Sequence, residues 1–467
     1  MLRASRLPLL KQLQRTPAEW QPRLISSHAV DGALQVTYRE AAACCDAMHA
    51  VREVHTLTLQ WSDALPDPSE AGPGAQRACA AVTSLPTLRI LNAGESYQTA
   101  LFGPVAHSLV SALTRLTDLL ALRTFWRDAS PAVLARPLGL LTTLTRLHLD
   151  IETNCCQESA LELAPALTCL SRLAHVTLGC GGRGEVTALG PALGTLTTLT
   201  SLDLSGNASV DADAYVNVEG VSVCYDVEAF VHGLRHLSQL AALNLACGYV
   251  GSGFDSGFHA WHPAGAALLA QALSQLTALT GLILSSDYID AGDAASLAPA
   301  LTRLSRLAHL DLGFNVLGAA GAAALAPSIA LLTALTRLHL DGNDVGANGA
   351  AALAPALSRL SRLAELKLCW NELGGAGCNA LAPPLGCLTA LTLLRLGRNR
   401  IDDDDLQHLA PALARLTRLK GLCLGGNPVH DSAVDALRAH LPASVCVATK
   451  RRHLNRDGQL SEFVSVP

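Results

Sequence analysis

Leucines recur along this chain in two alternating rhythms, and the pair of rhythms repeats every 28 residues. From Leu335 to Arg362 the chain reads LTRLHLDGNDVGANGAAALAPALSRLSR. It opens on Leu335, Leu338 and Leu340, followed by Asn343 and Val345, and closes on a Gly/Ala/Leu-rich half. The scheme returns at Leu363, Leu366, Leu368, Asn371 and Leu373, and again at Leu391, Leu394, Leu396, Asn399 and Ile401. The same step recovers Leu307 and Leu279 backwards and Leu419 forwards. Six starts at one fixed step exclude chance, and a period of this length marks a solenoid of stacked units.

Each unit predicts one strand and one helix. Leu338 and Leu340 alternate with His339 and Asp341, which is the two-residue period of a strand with one face buried. Asn343 follows where the chain must turn, and its amide can satisfy backbone groups that water does not reach. Ala352, Leu353, Ala356, Leu357 and Leu360 fall at helical spacing, with small residues for close packing. A single unit cannot bury its apolar face, so stacking has to supply the core. A proline precedes the repeat leucine by eight residues at Pro165, Pro191, Pro299, Pro327, Pro355, Pro383 and Pro411. Its recurrence predicts a bend or a helix start.

These residues resemble the ribonuclease-inhibitor-like class of leucine-rich repeats. The resemblance covers roughly residues 51–440. It implies an α/β fold: a horseshoe solenoid with parallel strands on the concave face and helices on the convex face. It does not imply one function, because the class hosts inhibitors, GTPase activators, immune sensors and cytoskeletal adaptors.

The rhythm divides the chain into three parts. Residues 1–50 form a basic arm and capping helix, 51–440 a solenoid of about 13 repeats, and 441–467 a C-terminal cap and basic tail. Arg3, Arg6, Lys11, Arg15 and Arg23 face a single acid, Glu19, within the first thirty residues. That composition fits a mitochondrial presequence or a basic arm that caps the first repeat or reaches a partner. Tyr38 to Val51 reads as a shielding helix, and Val445–Val447 as a closing strand. The repeats starting at Val54, Leu88 and Leu119 are irregular, and the pattern sharpens from Leu144. Two consecutive repeats carry insertions, near 208–220 and 248–263. The first is acidic and holds Tyr215; the second is rich in glycine and aromatics, with Phe254, Phe258 and Trp261. Both follow a strand, so they are expected to leave the same edge, pack together and serve binding, or else to be tolerated surface loops.

Composition narrows the function. Hydrophobic residues make up 50% of the chain but aromatics only 4%, which suits a core of leucine and alanine. A net charge of −5 gives no global basic field for nucleic acid or anionic membrane. No apolar run is long enough for a membrane helix. The 14 cysteines show no CxxC spacing, so a zinc ribbon is not expected and the thiols read as reduced; Cys369 and Cys423 fall on outward strand positions. No phosphate loop, dinucleotide fingerprint, HExxH or GxSxG motif occurs. Asp211, Asp213 and Asp226, or His259 and His262, lack the spacing of a metal family. No catalytic residue, cofactor or metal is therefore expected.

What remains is a protein-binding surface. On the concave face the outward positions include Arg337, His339, Asp341, Glu365, Lys367, Arg395 and Arg398, with Phe314 and Trp370 just beyond their strands and Trp61 and Trp126 at comparable places. Phe314 and Trp370 are two repeats apart, with Gly342 leaving a gap between them. Mixed charge around large aromatics is the composition of an interface core. The expectation is a non-enzymatic scaffold or adaptor binding protein partners, monomeric alone or within a hetero-complex, in a cytoplasmic assembly such as a cytoskeletal or ciliary one. Alternatives are a regulator of an enzyme, inhibitor-like or GTPase-activator-like, and a structural subunit of a mitochondrial complex.

Overall fold

The computed structural model describes residues 33–37, 55–60, 82–85, 87–93, 103–127, 131–152, 157–179, 189–205, 227–246, 263–449, 453–454 and 460–461. Both insertions, with Tyr215, Phe254, Phe258 and Trp261, lie outside these residues, as do Trp61, the basic arm, the expected helix at 38–51 and most of the basic tail. The chain forms two compact units, Met1–Leu196 and Thr197–Pro467.

In the first unit, β1 (Ala33–Thr37), β2 (Thr56–Gln60), β3 (Ile90–Ala93), β4 (Ala121–Arg127), β5 (Arg146–Glu152) and β6 (His175–Gly179) pair in chain order, each parallel to the next. Helices α1 (Gly103–Leu113), α2 (Pro131–Leu140), α3 (Gln157–Cys169) and the short α4 (Gly190–Leu193) lie between or after the later strands. Strand β1 precedes the first leucine start seen in the sequence. Trp126, expected beyond its strand, lies inside β4 with 0% exposure, its indole N–H donating to Thr124 Oγ1 at 2.7 Å. The longer β4 carries it into the core, so it offers nothing to a partner.

In the second unit, β7 (Ser201–Asp203), β8 (Ala242–Asn244), β9 (Gly281–Ile283), β10 (His309–Asp311), β11 (Arg337–His339), β12 (Glu365–Lys367), β13 (Leu393–Arg395), β14 (Gly421–Cys423) and β15 (Cys446–Ala448) form a parallel ladder in the same sequential order. Helices alternate with them: α5 (Val227–Leu234), α6 (Pro263–Leu273), α7 (Ala291–Leu301), α8 (Gly318–Ile329), α9 (Gly346–Leu357), α10 (Gly374–Leu385), α11 (Asp403–Leu413) and α12 (Asp431–Arg438). A short antiparallel pair, β16 (His453–Leu454) and β17 (Leu460–Ser461), follows. From β9 to β14 the register advances by 28 residues per strand, so Leu282, Leu310, Leu338, Leu366, Leu394 and Leu422 stand in one buried row.

One coil explains the rest. Leu335, Leu338, Leu340 and Val345 are buried under the strand and turn; Leu353, Ala356, Leu357 and Leu360 close the same core from the helix side. Asn343 is fully buried, and its amide N–H groups donate to Leu340 O at 3.1 Å and, one coil back, to Leu312 O at 2.8 Å. Asn371 and Asn399 reach back in the same way to Leu340 and Leu368, while the Asn371 side-chain oxygen accepts from Asn343 N and Val345 N.

The helices start by two devices at one repeat position. Gly318, Gly346 and Gly374 hold φ of +57°, +60° and +55° there, a conformation open to glycine at no steric cost. Asp290 and Asp402 instead cap their helices, each in a reciprocal capping box with Asp293 or Asp405. The recurrent prolines are not helix starts, except Pro191 in the short α4. Pro165, Pro299, Pro327, Pro355, Pro383 and Pro411 sit inside helices near their ends and face solvent. At that exposed edge water can take up the carbonyl that the missing N–H leaves open, which spares most of the cost of an interior proline.

Candidate functional site

The outward face of β9–β14 is a grid of side chains. Neighbours across it are 28 residues apart, and strands spaced about 4.8 Å apart set its columns. Its first row runs Gly281, His309, Arg337, Glu365, Leu393, Gly421; its second runs Ile283, Asp311, His339, Lys367, Arg395, Cys423.

The centre of the grid is charged and packed. His339 Nδ1 lies 2.9 Å from Asp311 Oδ2, its Nε2 3.2 Å from Glu365 Oε1, and its Nδ1 3.3 Å from Lys367 Nζ. Lys367 reaches Glu365 Oε1 at 3.3 Å, and Arg337 Nε lies 3.7 Å from Glu365 Oε2. His309 stands edge-on to His339 with ring centroids 5.0 Å apart. Burial pushes the Glu365 carboxyl up, but His339 and Lys367 outweigh it and bring its pKa to about 2. Burial, and then His339, lowers His309 to about 4. Burial opposes protonation of His339, yet the two carboxylates beside it raise its pKa above the usual imidazole value. For Asp341 burial wins and its pKa rises, even though its carboxylate accepts from Cys369 N at 2.7 Å. His339 is only 6% exposed. Against the expectation from sequence, it therefore presents little to a partner, whereas Asp341 is half-buried.

At the far end of the strands the grid ends in a rim of unusual backbone. Ser286, Phe314, Gly342, Trp370, Arg398 and Gly426 occupy one repeat position, and all have positive φ. Glycine fits there without strain, as at Gly342 and Gly426. A bulky residue costs roughly 1–3 kcal/mol, yet Phe314, Trp370 and Arg398 are held at +56°, +58° and +55°. Phe314 is 58% exposed and Trp370 50%. The gap expected over Gly342 is filled: the Phe314 ring lies so close that a Cβ on Gly342 would stand 2.7 Å from Phe314 Cδ1. Arg398 lays its guanidinium over the Trp370 ring, 3.8 Å from the centroid, and its stem crosses Gly426. In this rim Phe314 and Arg398 thus lie over glycines of the next coil, and Trp370 lies under Arg398. Trp370 is not tucked into its own coil.

Below the rim Cys369 and Cys423 approach each other across Gly397, whose added Cβ would lie 3.5 Å and 3.7 Å from their sulfurs. The neighbouring Cys369 thiol lowers Cys423 against the opposing effect of burial, and the same contact raises Cys369. The sequence placed both on outward positions but gave no sign of their pairing, because they stand two coils apart at different positions of the repeat.

A family model described as Leucine Rich repeat matches residues 195–213, 307–326 and 332–354. No curated protein matches the chain. Among solved structures, an internalin from Listeria monocytogenes is similar at 18% identity and TM-score 0.41, covering 80% of this chain and 88% of its own. A leucine-rich-repeat protein from Leptospira interrogans is similar at 17% identity and TM-score 0.39, covering 89% of this chain and all of its own. Among the described residues no helix is long and apolar enough to cross a membrane.

Proposed function

We infer that this leucine-rich-repeat protein is a non-enzymatic scaffold that docks a protein partner on the rim formed by Phe314, Trp370 and Arg398. The observation that carries the reading is backbone strain spent on exposure. Three bulky side chains occupy left-handed positions that neighbouring coils give to glycine, and two of them are large, exposed aromatics. The left-handed turn itself recurs from coil to coil and donates an inter-coil backbone bond, so it is the choice of large, exposed side chains where glycine suffices that points to a function. Trp and Arg are also the residues that dominate binding energy at interfaces. Arg337, Glu365, Lys367 and Arg395 lie beside the rim and supply charges of both signs that fix a partner's orientation. The partner is thus one with an apolar anchor and a mixed-charge surround, and the chain acts as an adaptor or subunit of a larger assembly. The reading assigns no catalytic step to the isolated chain.

The test is affinity recovery with wild-type and Trp370→Ala chains, followed by a binding titration with the partner that only wild type retains. The expected loss is about 2–4 kcal/mol of binding with a nearly unchanged melting temperature. Equal recovery by a folded Trp370→Ala chain overturns the rim, and the insertions at 208–220 and 248–263 then become the leading surface.

A further inference from the structure

The grid also brings together groups that no linear motif joins. His309, Asp311 and His339 each place one ligand atom within 4.8 Å of the other two. Asp311 and His339 are directly paired across β10 and β11, and His309 is the neighbour on the diagonal. Nε2 of His309 is buried and has no hydrogen-bond partner among the described residues. Nε2 of His339 is likewise buried, and although Glu365 Oε1 is 3.2 Å away it lies off the hydrogen-bonding direction.

With a neutral His339 that arrangement is electrostatically incomplete. A neutral imidazole carries one proton, but both nitrogens of His339 face carboxylate oxygens, Asp311 at 2.9 Å and Glu365 at 3.2 Å. Whichever nitrogen lacks the proton therefore turns a lone pair toward an anion. A second proton on the ring is one answer, with two carboxylates set against the single Lys367 ammonium at 3.3 Å. A metal ion answers it more completely, because it accepts lone pairs from imidazole and carboxylate together.

We propose that His309, Asp311 and His339 form a Zn2+ site on the solvent face of β10 and β11, with water in the fourth position. Two imidazoles and a carboxylate are a borderline-soft set that suits zinc and not calcium or magnesium. Bonds of about 2.0–2.2 Å in a tetrahedron place ligand atoms about 3.4 Å apart. Side-chain rotation alone closes the difference from the present spacing, since the strands fix only the backbones. Lys367 is the resident competitor. Its ammonium lies 3.3 Å from both His339 Nδ1 and Glu365 Oε1, and it must swing away as the metal enters. Glu365, freed of that ammonium, is left beside the site as the nearest spare carboxylate. The site does not depend on the docking rim and stands or falls separately from it.

The competitor gives the proposal a signature that casual surface binding lacks. Full-length chain stripped with chelator is titrated with Zn2+ by calorimetry and chelator competition, and with Co2+ by visible absorption. One saturable equivalent and a tetrahedral Co2+ band are expected. His309→Ala and His339→Ala should each weaken binding by more than about 100-fold, since loss of an outer partner alone costs about 10–100-fold. Lys367→Met should strengthen it at least about tenfold by removing a like charge from the site. His309 is only partly buried, so His309→Ala and Lys367→Met decide the matter even if His339→Ala fails to fold. No saturable binding, or binding that both histidine variants retain, overturns the site. So does an affinity indifferent to Lys367. In those cases the second proton on His339 is what completes the cluster.

Discussion

Asn343 shows how much one side chain contributes in this fold. Its buried amide bonds carbonyls of two coils at once, so Asn343→Leu strands those groups and should cost about 1–3 kcal/mol in denaturant unfolding; an unchanged midpoint would remove the ladder from the account of stability. Trp370 poses the opposite case. Trp370→Ala loses the stack on Arg398 but keeps a left-handed non-glycine, whereas Trp370→Gly loses the stack and releases the strain. The glycine variant should therefore be the more stable of the two by about 1 kcal/mol, and thermal melts of the pair check it. Cys423 gives a chemical prediction. Its thiol is lowered by the Cys369 thiol beside it, so it reaches the reactive thiolate at lower pH than it would alone. Its alkylation by iodoacetamide, followed by mass spectrometry, should set in at lower pH in the wild-type chain than in Cys369→Ala, while buried Cys378, pushed up to about 12, stays unmodified. The role of Asn343 was legible in the sequence because the 28-residue step fixed its place at the strand exit. The strain at Phe314, Trp370 and Arg398 was not read, although the column they share with Gly342 and Gly426 holds the signal. Alternation of glycine with bulky residues at one repeat position marks positive φ.

At the scale of elements, what sets the spacing of α8, α9 and α10 from the helix before each is a glycine one turn in, Gly321, Gly349 and Gly377. A Cβ on Gly349 would lie 2.6 Å from Val345 Cγ1 and 3.1 Å from Ala319 Cα in the adjacent coil. In an ordinary helix Gly→Ala gains about 1 kcal/mol; here the backbone of α8 is in the way. Gly349→Ala should instead destabilise by about 1–3 kcal/mol, and a rise in melting temperature would show that the helices have room to part. The equivalent places in the coils begun by Leu279 and Leu391 hold Asp293 and Asp405, each in a capping box. Periodicity made strand and helix legible but not these two ways of starting the helix, since both leave the leucine pattern untouched. The prolines were visible yet misplaced for a related reason. Their spacing from the next leucine is fixed, but only the three-dimensional coil shows that they fall on the exposed edge of the last turns.

At the scale of the molecule, strict repetition from β9 to β14 makes that stack nearly one-dimensional, with each coil dependent on its neighbours. Removing residues 335–362 deletes one whole period and joins the Leu307 coil to the Leu363 coil in register. That variant should fold cooperatively with a slightly smaller urea m-value, whereas removing only 335–348 should abolish folding; circular dichroism with urea titration separates the two. The same regularity explains why the His309, Asp311 and His339 cluster escaped a search for motifs. Its members are near in space only because the period wraps them side by side, and conventional metal spacings assume ligands within one turn or hairpin. The ladder also gives the chain a direction in time. Each asparagine completes the coil before its own, so a coil leaving the ribosome keeps bare carbonyls until the next 28 residues have been made. At about 5–20 residues per second that is a delay of a few seconds per coil, during which the newest coil is the one open end of a growing stack. Translation, coil by coil, is thus the clock by which this protein closes itself.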